Sequence, residues 1–290
     1  MPVTQDAVVS GAVHLDHVGF IVADLAATAL LAEQLGFTLT TRADHTRTDA
    51  LGRSVPAGSS QRSIMLRSGY VELMQITDPK AGHQLAAAPT ERHGLHIVAF
   101  GTGDALACHA RRLQDGVQAG PVLHWTRPVH EPDLHGTAQF AYFGSAWTPQ
   151  DPSYLCWVEH RTPQLLRNER LLRHENGSQV LRGIRYAGPP ALIPAWTAQL
   201  CAAGAQLRHG APDRIRLDLP GAVEIDIRAD TDRDHLLPQS LLWGGADLQD
   251  VQARCKRMGL PCQVRPDGTV EVDLESELGM QWLFLPDAKD

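Results

Sequence analysis

The chain has 290 residues, enough for one large or two ordinary domains, each with a full core. It is 43% apolar and 20% charged, and its formal net charge of −7 leaves no basic footprint of the kind that nucleic-acid binding needs. No apolar run approaches a membrane span and no secretory signal pattern is evident; the five cysteines (Cys108, Cys156, Cys201, Cys255, Cys262) are scattered and never spaced CxxC, so reduced thiols in a cytoplasm are expected.

Residues 1–12 read as a loose leader. A unit then recurs four times: a short apolar strand, a capped helix ending at Gly, and further strands. The first copy runs VHLDHVGFIV, then the helix DLAATALLAEQL closed by Gly36, and ends in GYVELMQI. The second runs GLHIVAF, then DALACHARRLQD closed by Gly116, and ends in YLCWVEH. The third has LRGIRYAG, a helix around PAWTAQLCAA closed by Gly204, and AVEIDI. The fourth has SLLWGGA, a helix from Asp247 to Met258 closed by Gly259, and MQWLFL. Asp24, Asp104 and Asp247 stand where a side chain accepts from first-turn N–H groups, and the glycines suit left-handed helix ends. Leu25, Ala29, Ala32 and Leu35, with Leu31 alongside, give the first helix one buried face.

Residues 42–61 are rich in Asp, Thr, Gly and Ser and read as a long connection or lid. Residues 121–153 hold the tract HWTRPVHEPDLHG and read as a hairpin with further loops. The stretch from Thr162 to Gly177 reads as an excursion between two pairs of units, which places a domain boundary near residue 178.

At HLDHVGFIV…LGF…GYVELMQI the sequence resembles the vicinal oxygen chelate superfamily (glyoxalase, bleomycin-resistance proteins, extradiol dioxygenases). The segment GLHIVAFGT…RPVHEPD…EHRTPQLL…HENG resembles its glyoxalase-like domain branch, with Glu159 where Gln is usual. The resemblance implies an α+β fold of four βαβββ units forming two half-open barrels: a metal-binding domain over 13–177 and a degenerate second domain over 178–290. Pairing of the first unit with the fourth and the second with the third stays open.

The resemblance further implies one ligand from the first strand and one from the last strand of each unit: His17, Glu72, His96 and His160. Strand alternation turns His14 and Asp16 away from whatever His17 faces, and admits only one of Glu159 and His160 to the interior. His160 is the choice, with Glu159 in reserve. Three imidazoles and a carboxylate suit one divalent ion of Zn, Ni, Co, Fe or Mn. Against this, a His on a half-apolar strand is commonly a hydrogen-bonded core residue. Glu72 needs a partner in any case, because an unpaired buried carboxylate is costly; Arg62 is the structural candidate. In the second half, Arg185 or Tyr186 and Trp243 or Gly244 replace the first-strand His, while Glu224 and Gln281 occupy last-strand positions without an imidazole. A structural or homodimerising role follows for that half.

Three functions are open. The first is an isomerase or lyase acting on a small oxygen-chelating carbonyl compound, with Glu72 as the catalytic base. The second is extradiol-type Fe(II) oxygenation through His17, His96 and Glu72. The third is drug sequestration of the bleomycin-resistance kind. Tyr70, Phe100, Trp125 and Trp157 are candidate stacking surfaces, and Arg127 is a candidate anion anchor. No nucleotide-binding loop accompanies them.

Overall fold

The computed structural model describes residues 14–86, 94–148 and 150–286, so the leader 1–12 lies outside the described residues. Four βαβββ units follow one another. The first comprises β1 (His14–Ile21), α1 (Leu25–Gln34), β2 (Ala43–Thr48), β3 (Ser54–Met65) and β4 (Tyr70–Ile76). The second comprises β5 (Leu95–Gly101), α2 (Ala105–Gln114), β6 (Leu123–Glu131), β7 (Leu134–Gly144) and β8 (Tyr154–His160). The third comprises β9 (Val180–Gly188), α3 (Ile193–Ala203), β10 (Gln206–Ala211), β11 (Arg214–Leu219) and β12 (Val223–Ala229). The fourth comprises β13 (Leu237–Gly244), α4 (Leu248–Met258), β14 (Cys262–Val264), β15 (Val270–Leu274), a single-turn α5 (Glu275–Leu278) and β16 (Met280–Phe284).

Cap chemistry sets the helix ends. Asp24, Asp104 and Asp247 each accept first-turn N–H groups, and Gly204 and Gly259 close their helices in the left-handed region. Residues 42–61 are not a lid: β2 and β3 form a hairpin there, turned at Asp49–Arg53. Its inward positions Ser59, Gln61 and Ser63 are buried but polar, so the apolar alternation that marks a strand is missing. The expected hairpin in 121–153 is β6–β7.

Sheet pairing joins the first unit to the second through β1–β5 and the third to the fourth through β13–β9. The first sheet closes on itself, in the order β1-β4-β3-β2-β6-β7-β8-β5, because β2 meets β6 at Thr46–Thr126 and Arg47–Trp125. The second, in the order β10-β11-β12-β9-β13-β16-β15-β14, stays open. The two sheets share one core on their helix-bearing faces. Phe37 stacks among Trp243, Trp282 and Phe284 with ring centroids 4.6, 5.5 and 6.3 Å away, and each ring is buried. At the other end the Arg112 guanidinium donates to the Ala202 carbonyl, which ties α2 to the end of α3.

The HENG segment is a staple in that arrangement. His174 Nδ1 accepts from Thr38 N at 3.0 Å, its Nε2 donates to the Met65 carbonyl at 2.9 Å, and Asn176 donates to the Leu35 carbonyl at 2.8 Å. Asp247 N in turn donates to the Asn176 carbonyl at 2.8 Å, which links the first unit to the fourth.

Candidate functional site

Inside the closed barrel lies a cavity lined by residues from both units. On β4, Val71 and Leu73 join the shared core, while Tyr70, Glu72 and Met74 face the cavity. Burial raises the Glu72 carboxyl above its ordinary value; His17 and Arg127 oppose that rise, and Asp16 adds to it. Two imidazoles flank Glu72: His17 Nε2 is 3.9 Å from one oxygen and His45 Nε2 is 3.7 Å from the other. Burial, Arg127, His83 and His17 push His45 down to about 3, so it is a neutral imidazole across the physiological range.

Asp16 departs from the alternation argument. Leu15 pairs with Phe100 and His17 with Ala99, so Asp16 is the extra residue of a β-bulge. Freed from regular alternation, its carboxylate lies 2.8 Å from His17 Nδ1 and 2.9 Å from His160 Nε2. Burial alone would raise Asp16, yet His160 and His17 hold it well below the usual carboxylate range. It therefore accepts from both rings. Glu159 turns the other way and caps α2, accepting from Ala105 N at 2.9 Å.

Bulge positions fix which residues are equivalent among the units. The pairing Gly19–Ile97 followed by Phe20–Leu95 leaves His96 as the extra residue of β5; by the same test Arg182 and Gln239 are the extra residues of β9 and β13. The capping Asp comes eight residues after the bulge in three units: Asp16 to Asp24, His96 to Asp104, Gln239 to Asp247. His96 is thus the counterpart of Asp16, and Ile97 is the counterpart of His17. The parallel pairings His17–Tyr70, Ile97–Tyr154, Gly183–Glu224 and Ser240–Gln281 carry the match to the last strands. Two residues on stand Glu72, Cys156, Asp226 and Leu283.

A family model described as a glyoxalase-like domain matches residues 15–204. The chain belongs to that family. The sequence matches no curated protein significantly. A hypothetical protein from Staphylococcus aureus shares the fold with a TM-score of 0.65 at 10% identity, covering 94% of this chain and 99% of that one. A mutant 4-hydroxymandelate synthase from Streptomyces coelicolor has a TM-score of 0.56 at 13% identity, with 96% and 94% covered. A Mn(II)-bound glyoxalase from Novosphingobium aromaticivorans has a TM-score of 0.54 at 12% identity, with 93% and 81% covered.

A divalent ion is what the vicinal oxygen chelate fold implies, and this glyoxalase-like domain does not assemble the expected four ligands. His96 does not line the cavity; its Nδ1 accepts from Ile21 N at 3.3 Å, and the inward position belongs to Ile97. His160 Nε2 is committed to Asp16. The second unit presents an isoleucine and a thiol where His17 and Glu72 stand in the first, and burial, Glu72 and Asp16 raise that Cys156 thiol well above its ordinary value. Among the described residues, no group of three or more His, Cys, Asp or Glu side chains is placed to hold a metal ion. The residues present do not fit the implied group.

Tyr70, Trp125 and Arg127 all line the cavity. Phe100 and Trp157 do not: they stack on each other at 5.8 Å inside the shared core. Arg62 is not the partner of Glu72, since it donates to Glu33 at 2.7 Å and to the Thr40 carbonyl. Arg127 takes that electrostatic role, its guanidinium 5.9 Å from the centre of the Phe140 ring. His45 and His83 escaped the sequence reading because neither stands on an apolar strand run. Counting back from the helix caps would have corrected His96.

Proposed function

We propose that the cavity binds a small carbonyl compound bearing one negative group, and that Glu72 moves a proton α to the carbonyl, an isomerase- or lyase-type reaction. The observation that carries this reading is Glu72 itself: a carboxylate only 12% exposed with a raised pKa, on a cavity wall, between two imidazoles and within the field of Arg127. Arg127 is buried and faces the same space, so it suits the anionic group of a ligand, while Trp125, Phe140 and Tyr142 enclose the rest. His17, with Nδ1 donating to Asp16, keeps Nε2 turned to Glu72 and is suited to accept the proton onward.

Incubation of a panel of small 2-oxo and hydroxy-carbonyl acids in D2O, followed by NMR, tests this. At least one compound is expected to exchange its α-proton faster than in buffer, with Glu72→Gln slowing that exchange about 10²- to 10⁴-fold while the ligand still binds. Binding without exchange by the wild-type chain would refute catalysis and leave the sequestering reading. That second reading has its own support in the largely aromatic and apolar walls. The extradiol set of His17, His96 and Glu72 lacks support, because His96 is turned to the backbone of Ile21.

A further inference from the structure

The open sheet carries a charge pattern that the first half lacks. Its helix-bearing face is apolar, with Ile184, Tyr186, Leu217, Ile225, Ile227, Leu241 and Trp282 in the shared core. On the other face, strand register aligns one row of side chains across five strands: Arg216, Asp226, Arg185, Ser240 and Gln281. The next row aligns Arg214 with Arg228.

Asp226 is buried and is the counterpart of Glu72, but its surroundings are cationic. Arg214 holds it in a bidentate pair at 2.7 and 2.8 Å, Arg228 reaches it at 2.8 and 3.0 Å, and Arg185 Nε is 3.8 Å away. Nearby pairs are closed among themselves: Arg265 with Glu271, and Arg208 with Glu224 and Asp218. Four guanidinium groups (Arg185, Arg214, Arg216, Arg228) are thus set against one carboxylate, in a chain whose net charge is −7. Arg185 Nε and Arg216 Nε are buried without a hydrogen-bond acceptor. Burial and the neighbouring Arg228 pull the pKa of Arg185 down, Asp226 opposes that, and Arg265 and Arg214 pull it further. Like charges crowded on one face and donors left without acceptors both cost free energy. An arriving oxyanion offsets both at once.

We propose that this face is a second ligand site, taking a small molecule through a phosphate or carboxylate group bound by Arg185 and Arg216 beside the Asp226 cluster. The face is reachable because β10 and β14 do not meet to close the sheet, and the side chains of Arg185, Arg214 and Arg228 are 23%, 31% and 46% exposed. Ser240 and Gln281 continue the row beyond Arg185 and add neutral hydrogen-bonding groups beside the cations. This site is independent of the chemistry assigned to Glu72.

The test is calorimetric titration of the full chain with inorganic phosphate and with succinate, at ionic strength matched by chloride. Saturable binding of either anion is expected, and which one binds identifies the group recognised. Arg185→Gln and, separately, Arg216→Gln should each weaken it about tenfold, the loss of one charge-assisted contact. Arg257→Gln, on the exposed side of α4, should leave it unchanged. Heat no different from chloride for both anions, or wild-type affinity in both Arg185→Gln and Arg216→Gln, would overturn the proposal.

Discussion

Each half keeps one last-strand carboxylate at the same place in the repeat, and the company around it decides its chemistry. Glu72 sits in a closed barrel between His17 and His45, where burial outweighs the opposing His17 and Arg127 and its pKa rises. Burial also acts to raise Asp226, but guanidinium hydrogen bonds from Arg214 and Arg228 outweigh it and its pKa falls. In the proposed reaction the first exchanges a proton; the second is an anion held by Arg214 and Arg228. One ancestral-looking position thus serves two purposes, separated by whether the sheet closes and by which cations its neighbours supply.

Asp16→Ala is expected to be the most damaging change to stability, about 3–5 kcal/mol in denaturant unfolding, because it removes the buried acceptor of both His17 and His160. Acid should act on the first half before the second. His45 is pushed down to about 3 and His83 to about 4 from an ordinary 6.5, so the unfolded chain binds more protons in that window. Stability should therefore fall as pH drops below about 6.5 and level off beneath the folded values. His45→Gln and His83→Gln should each flatten that slope in thermal unfolding measured across pH. Asp226→Ala should cost less, about 1–3 kcal/mol by denaturant unfolding, since its arginine partners are partly exposed and re-solvate. It should leave ligand binding in the barrel unchanged.

Much of the architecture was legible because it repeats. Caps at Asp24, Asp104 and Asp247, and the glycines after each helix, carry their mechanism in the local sequence. The β2–β3 hairpin was hidden because a polar barrel interior accepts Ser59, Gln61 and Ser63, which erases the alternation that reveals strands. His17 and Glu72 both line the cavity, while His160 pairs with Asp16 and Glu159 caps α2. His96 was misplaced by one residue, because a bulge breaks the two-residue period and the motif was matched by its histidine instead of by distance from the helix cap. Asp226 was missed for another reason: Glu224 stands two residues earlier on the same face of an unbulged strand and was taken in its place. His174, part of the HENG signature, is fixed by the backbone of Thr38 and Met65.

In the proposed reaction the cavity side chain of the first unit carries the chemistry and the histidine of the second does not. The most direct measurement is α-proton exchange in D2O with Glu72→Gln and His96→Ala compared in one assay on a compound that the wild-type chain turns over. Loss of exchange in Glu72→Gln, with exchange retained in a His96→Ala chain that is merely less stable, is the predicted result. Equal loss in both variants, in folded protein, would contradict it.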